Sequence, residues 1–338
     1  MRITQKEMAR RLGISASLVS RALSGTADRI GADPNTVRRI HQTARALGYV
    51  PSAAARQLRG AGQAVIGLAV ADLQDPFFGP AVAEIITQFH RAGYALALTG
   101  FERRKADPAD VELLLQHDLR ALLLLGEGSL AWTRRFKERK IPMVRLGRGP
   151  RAPGMEEIRH DETLGMTRVA DHLIRLGHRR FALAGARQPV HENRLEQARK
   201  ILVEHGIRRA DCLTALGSGA VLTAGAEAAD MISKRLGTNW PTAVICSSDA
   251  IAMGIIRGAG ERGIPVPGRV SVTGYDDLAL AELATPPLTS VRQPFSAMVA
   301  AALRRVQTGR PAAPAETFAP ELMIRGSTDV AHPTLERI

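Results

Sequence analysis

From residue 64 onward the sequence is built from short apolar runs, VIGLAVA, ALALTG, ALLLLG, IPMVRLG, RRFALAG, TAVICSS and VSVTGYDD, separated by amphipathic segments of helical length. Such runs are too short for membrane spans and do not alternate with period two, so they fit strands covered on both faces. Covered strands belong to parallel sheets, whose crossovers need room for a helix, and the intervening segments supply that room. The body is therefore expected to be α/β with largely parallel sheets. Two sheet units of similar size suit this region better than one, with the chain passing between them near His160–Asp161 and again near Ser290–Gln293. A length of 338 residues agrees with two or three folding units. PAAPAE, after Gly309-Arg310, reads as a loop.

The first fifty residues have a different texture. In QKEMARRLGI, Met8, Ala9 and Leu12 recur at helical spacing, with Thr4 as N-cap and Gly13 as the stop. SASLVSRAL starts at Ser15 and places Leu18, Val19, Ala22 and Leu23 on one face. A third helix opens at Asp33-Pro34 and runs through Val37, Ile40, Ala44 and Leu47 to Gly48. Three such helices can close a small core. The Ala-rich SAAARQLRG that follows is too short to hold a helix alone in water, so it is expected to order only when docked.

Charge separates the same two parts. Eleven Lys and Arg against three acids give residues 1–60 a net +8, out of +13 for the whole chain. A small basic head on a nearly balanced body suits phosphate binding, because neutralising phosphates releases condensed counterions; a solvated basic face is the plainer alternative. Helix, glycine turn, helix is also the layout of a helix-turn-helix, whose second helix presents its N-terminal side chains to base edges. On that reading Ser15, Ala16, Ser17, Ser20 and Arg21 face outward. The serines suit phosphate oxygens or bases, Ala16 a thymine methyl, and Arg21 the O6 and N7 atoms of guanine.

Other function classes lack their signatures. Cys212 and Cys246 have no CxxC spacing and no neighbouring His pair, so reduced buried thiols are expected, with neither metal nor cofactor. GEGSLA from Gly126 ends in Ala and lacks a following acid, which weakens a dinucleotide-binding reading. No GxSxG, HExxH or Walker A string occurs. An enzyme is not expected. There is no long apolar span and no apolar stretch near Met1, which speaks against a membrane protein or a periplasmic solute binder and for a cytoplasmic, nucleoid-associated one.

MARRLGISASLVSRALSG and LGYVPSAAARQL resemble the DNA-binding head and hinge of the LacI/GalR family. The similarity continues through DLQDPFFGPAVAEI, DHLIRLGHRRFALAG, SSDAIAMGIIRGAGERGIPVPGRVSVTGYDD, TPPLTSVRQP and IRGST. The resemblance implies a small all-α head, 1–50, a hinge, 51–61, and a periplasmic-binding-protein-like body, 62–338, of two doubly wound parallel-sheet subdomains. One would hold about 62–160 plus 292–320, the other about 161–291 plus 321–330. It implies a homodimeric, sequence-specific regulator, expected to repress, that reads a pseudo-palindromic double-stranded operator and answers to a small-molecule effector, a sugar or related metabolite, in the inter-subdomain cleft. Thr4 joins the DNA-facing set. In the hinge, Leu58 takes the place of the residue that wedges into the minor groove, beside Ser52, Ala53 and Arg56; Leu58 packing on the head is the alternative. The tail STDVAHPTLERI has no apolar heptads, so no coiled-coil tetramer is expected.

One departure is the loop SGTADRIGAD, about three residues longer than the family's. For the effector, Phe77 and Phe78 match an aromatic lip and Asp276 a sugar-binding acid, while Asp249 matches an acid whose role is open between ligand and structure. Elsewhere Gly147 stands for an Asp, Ser248 for an Asn, Ala220 for a stacking aromatic, and His191 or Glu192 for an effector-binding Arg. The loss of that Arg and the gain of Glu192 predict a neutral or cationic ligand, unless Glu192 is a solvated rim residue.

Overall fold

The computed structural model describes residues 3–49, 63–100, 108–126, 130–149, 154–237, 239–309 and 315–331. The hinge residues Ser52, Ala53, Arg56 and Leu58 lie outside them. Contacts divide the chain into Met1–Ala64 with Gly93–Ala95, and Val65–Ala92 with Leu96–Ile338.

The head contains α1 (Gln5–Leu12), α2 (Ala16–Leu23), a 3-10 turn (Ala27–Ile30) and α3 (Pro34–Ala46). Each helix starts where a side chain satisfies its orphan N–H groups: Thr4 accepts from Glu7, Ser15 from Leu18, and Asp33 from Asn35 and Thr36. Such a cap stabilises a helix by about 1 kcal/mol. Gly13 ends α1 at φ +66°, where any Cβ is strained, and so turns the chain sharply into α2. Met8, Val19 and Ile40, one from each helix, are wholly buried against one another's cluster. The long loop folds into the 3-10 turn and contributes Ala27 to this core.

The body runs β1 (Val65–Val70), α4 (Phe78–Arg91), β2 (Ala95–Gly100), α5 (Pro108–Leu115), β3 (Leu119–Leu125), α6 (Leu130–Glu138), β4 (Met143–Leu146) and β5 (Met155–His160). It continues α7 (Glu162–Arg175), β6 (Phe181–Ala186), α8 (Pro189–Glu204), β7 (Cys212–Gly217), α9 (Val221–Leu236), β8 (Ala243–Cys246), α10 (Asp249–Gly260) and β9 (Ser271–Asp276). Last come α11 (Ala279–Leu283), β10 (Thr289–Arg292), α12 (Phe295–Thr308), β11 (Glu316–Phe318) and β12 (Glu321–Met323). One six-stranded sheet has the order β11-β5-β4-β3-β1-β2 and the other β12-β10-β9-β8-β6-β7. The β10–β12 pair is antiparallel; β1–β3, β3–β4, β4–β5, β6–β8 and β8–β9 are parallel.

The seven apolar runs are β1, β2, β3, β4, β6, β8 and β9, and all but β2, which edges its sheet, lie inside their sheets. In β3, Leu122, Leu123, Leu124 and Leu125 are all buried, each contributing roughly 2 kcal/mol. The strands not visible as apolar runs are polar or peripheral. β5 is MEEIRH, and its acids are matched by cations from elsewhere: Glu157 pairs with the wholly buried Arg145 of β4 at 3.1 Å, and Glu156 with Arg305 of α12 at 2.6 Å. β7 edges its sheet. The chain leaves the first sheet after His160 and returns after Arg292, as expected, and crosses once more between Phe318 and Glu321.

Candidate functional site

Two surfaces carry functional side chains, one in each unit. In the head, α2 and its cap expose Ser15, Ser17 and, in the last turn, Arg21, with Ser20 half-buried. The Arg21 guanidinium has no partner among the described residues, whereas Arg10 and Arg11 of α1 are both tied to Glu7, at 2.8 and 3.1 Å. Arg21 is thus available to a base edge and Arg10 and Arg11 are already engaged. Thr4 and Ser15 spend an acceptor on their caps and keep a hydroxyl hydrogen for a phosphate oxygen. Ala16 packs against the head core and offers less surface than its helical position predicts.

In the body, a cleft of about 1040 Å³ opens between the two sheets, at the upper end of small-molecule sites. Its walls are strand ends: Asp72 follows β1, Gly126 β3, Arg148 β4, Arg187 β6 and Ser218 β7, while His160 and Asp276 end β5 and β9. Ligands in open α/β sheets bind outside the carboxyl ends of strands, and here both sheets direct those ends into one cavity. β9 ends in two non-glycine residues with left-handed backbone, Asp276 at φ +109° and Asp277 at φ +51°. Strain of this kind persists where the surroundings hold it, and here it sets Asp276 in the cleft wall while Arg325 and Arg292 pair with Asp277.

Arg194, on α8, organises the floor. Its guanidinium donates to Glu162 at 3.1 Å and to the Ser247 carbonyl, approaches Asp276 at 3.6 Å, and lies 3.8 Å over the Tyr275 ring. Burial works to lower its pKa, but Glu162 and Asp276 hold it above the ordinary value. Burial likewise works against a charged Glu162, and Arg194 prevails, keeping Glu162 below the usual carboxylate range. One cation cannot neutralise two buried acids: burial pushes Asp276 well up despite Arg194.

Two histidines complete the floor. His160 Nε2 is 2.9 Å from the Tyr275 hydroxyl, and His191 Nδ1 is 2.9 Å from Ser247 Oγ. Burial, and then the charge of Arg194, lower His160 to about 4 and His191 to about 3. Both imidazoles are therefore expected to remain neutral from pH 8 to pH 5. Side-chain ¹⁵N shifts from histidine-labelled protein check this; a protonated signature for either at pH 6 contradicts the geometry.

The expected effector residues divide. Phe77, Phe78 and Asp276 line the cleft, and Phe77 packs edge-on against Phe78 and Phe295 at 5.3 and 5.8 Å between ring centres. Glu192 and Ser248 are corrected. Glu192 is exposed outside the lining, because successive helical residues are turned 100° apart, whereas His191 and Arg194 share a face at i, i+3. Ser248 caps α10 through Ile251 N–H, and its neighbour Ser247 supports Arg194 and His191 instead. Asp249 is structural: its oxygens accept from Ser290 and from the Leu278 N–H, and burial raises it to about 7. An arginine does line the cleft one turn along from His191, as Arg194, and it is engaged by Glu162, Asp276 and the Ser247 carbonyl. Its helical spacing from His191 was the signal available in the sequence.

Among the described residues no helix is long and apolar enough to cross a membrane. Residues 170–328 match the family of periplasmic binding protein-like domains. The chain is 30% identical to the HTH-type transcriptional regulator GalR of Escherichia coli (strain K12), over 98% of this chain and 97% of that protein. In fold it is similar to the lac repressor dimer bound to operator and the anti-inducer ONPF, with TM-score 0.82 and 22% identity over 97% of this chain and 100% of that one. It is also similar to the transcriptional regulator CelR in complex with cellobiose, with TM-score 0.67 and 23% identity over 96% and 100%. With a helix-turn-helix in its head, a two-sheet cleft in its body and a regulator matching it along almost its full length, this chain belongs to the LacI/GalR family of helix-turn-helix transcriptional regulators.

Proposed function

We propose that this regulator is a cytoplasmic homodimeric repressor that reads a pseudo-palindromic operator, and that a carbohydrate or related metabolite held in the body's cleft sets its operator affinity. The observation that carries the reading is the exposed Arg21, unpaired among the described residues, on the same helix as Ser17, the recognition helix α2. One helix reads only a few base pairs, so specificity calls for two heads on two half-sites. Residues 51–61 serve as the hinge, with Leu58 as the wedge in the minor groove beside Ser52, Ala53 and Arg56. Support for the effector comes from the cleft's mixture of aromatic lip and buried polar floor, and from the cellobiose and anti-inducer complexes of its fold relatives. The cleft binds its ligand without turning it over.

Arg21→Ala is expected to lower affinity for an operator selected from random DNA by about 1–3 kcal/mol. Binding to unrelated DNA at the same salt should fall far less. Fluorescence anisotropy with both duplexes reads the difference, and equal losses remove Arg21 from base recognition.

A further inference from the structure

We infer that the cleft takes an anionic carbohydrate, a polyhydroxylated molecule carrying a carboxylate or a phosphate, and that Arg187 is the principal contact for its charge. The inference rests on the regulator reading above and names the chemical class of its effector.

Four arginines line the cleft, and their states differ. Arg194 is consumed by Glu162, Asp276 and the Ser247 carbonyl. Arg187, at the end of β6, is exposed into the cavity with no side-chain partner among the described residues. From the other sheet, Arg148 reaches Glu162 only at 3.5 Å, an acid that Arg194 already satisfies, and Arg159 donates to the neutral Thr317 hydroxyl at 3.3 Å. Three guanidinium groups from both walls thus border one cavity, with little counter-charge among the described residues.

The cleft's acids do not cancel them. Glu162 and Asp276 share Arg194, and burial drives Asp276 toward its neutral form. Asp72 and Asp75 each turn an oxygen to a backbone N–H, of Gln74 and Phe77, both at 2.9 Å. Asp75 is raised by burial, with the neighbouring Asp72 adding to the effect. The open electrostatic capacity is therefore positive, and the carboxyl oxygens of these acids suit hydroxyls.

Two further features point the same way. The sixteen-residue α8 begins at Pro189 in the cleft wall with no side-chain cap from Gln188, so the positive end of its dipole lies beside Arg187. His160 Nδ1, on a residue 5% exposed in the cleft wall, has no hydrogen-bond partner among the described residues, and a ligand hydroxyl can satisfy it. The Phe77, Phe78 and Phe295 lip offers an apolar face for a sugar ring.

Isothermal titration of the full chain with matched pairs tests this: D-galactose against D-galacturonate, D-glucose against D-gluconate, and D-glucose against D-glucose 6-phosphate. At least one anion is expected to bind ten-fold or more tighter than its neutral parent, and the pair that responds separates carboxylate from phosphate. In R187Q that preference should disappear, a loss of about ten- to a hundred-fold in affinity for the anion. Inorganic phosphate and acetate are the controls; binding as tight as the sugar anion's overturns the carbohydrate assignment. Neutral sugars binding as well as their anionic partners, or no anion binding at all, overturns the inference. Operator retention by the same preparation then shows whether the regulator reading still stands; a chain that selects no DNA sequence overturns that reading and the inference with it.

Discussion

Arg194→Met is expected to destabilise the body by about 3–5 kcal/mol, the range found when one partner of a buried charge network is removed. Methionine fills much of the same volume, so the loss measures electrostatics more than packing. Glu162, nearly buried, would lose its 3.1 Å donor and Asp276 its nearest cation. Arg194→Lys should recover only part, because an ammonium cannot serve Glu162, Asp276 and the Ser247 carbonyl with one planar fork or lie flat on the Tyr275 ring. The pH dependence has a defined sign. In the unaltered protein Glu162 lies below the usual carboxylate range, so its stabilisation is present at neutral pH and is lost as the pH falls through its folded value. In the variant, burial raises both acids, protonation relieves them, and the deficit relative to the parent narrows from pH 7 to pH 5. Urea unfolding at several pH values reads this; a deficit that is small at pH 7, or that widens on acidification, contradicts the network.

The second large effect concerns a helix crossing behind the same wall. A Cβ at Gly225 of α9 would stand 2.4 Å from the Ile251 carbonyl oxygen and 2.9 Å from Gly254 Cα, both on α10. These are backbone atoms, which cannot swing aside, so the helices must separate. Alanine gains up to about 1 kcal/mol of helix propensity over glycine, while overpacking costs about 1–3 kcal/mol or more. Gly225→Val adds two methyl groups to the clash and loses part of the propensity gain, so a net loss of at least about 3 kcal/mol is expected. Gly260→Ala, at the open end of α10 with nothing within 4 Å, is the opposite case and should be neutral or slightly stabilising. Denaturant midpoints for the two variants should move apart, and a stable Gly225→Val protein would mean that the crossing is looser than described. Because Ser247 precedes α10 and props Arg194, loss of this packing should also weaken ligand binding in the cleft.

Much of this molecule is written in local chemistry. Thr4, Ser15 and Asp33 as caps, Gly13 as the turn and the Met8, Val19 and Ile40 stripe are short-range facts, and the head folds as they dictate. The seven apolar runs likewise became strands, six of them inside their sheets and β2 at an edge, since a strand covered on both faces must be apolar along its length. β5 is not legible in the sequence because the partners of its charges, Arg145 and Arg305, come from other elements, so MEEIRH does not look like a strand by itself.

The sequence by itself determined the helix-turn-helix head, the alternation of strand and helix, and the family. Only the tertiary structure decided what the cleft's charges do. Arg194 and Glu162 lie 32 residues apart, and Asp276 arrives from another strand. Whether a guanidinium is spent on buried acids, as at Arg194, or left open to a ligand, as at Arg187, depends on which groups the two sheets bring within a few ångströms. Spacing along the chain carries no measure of that distance.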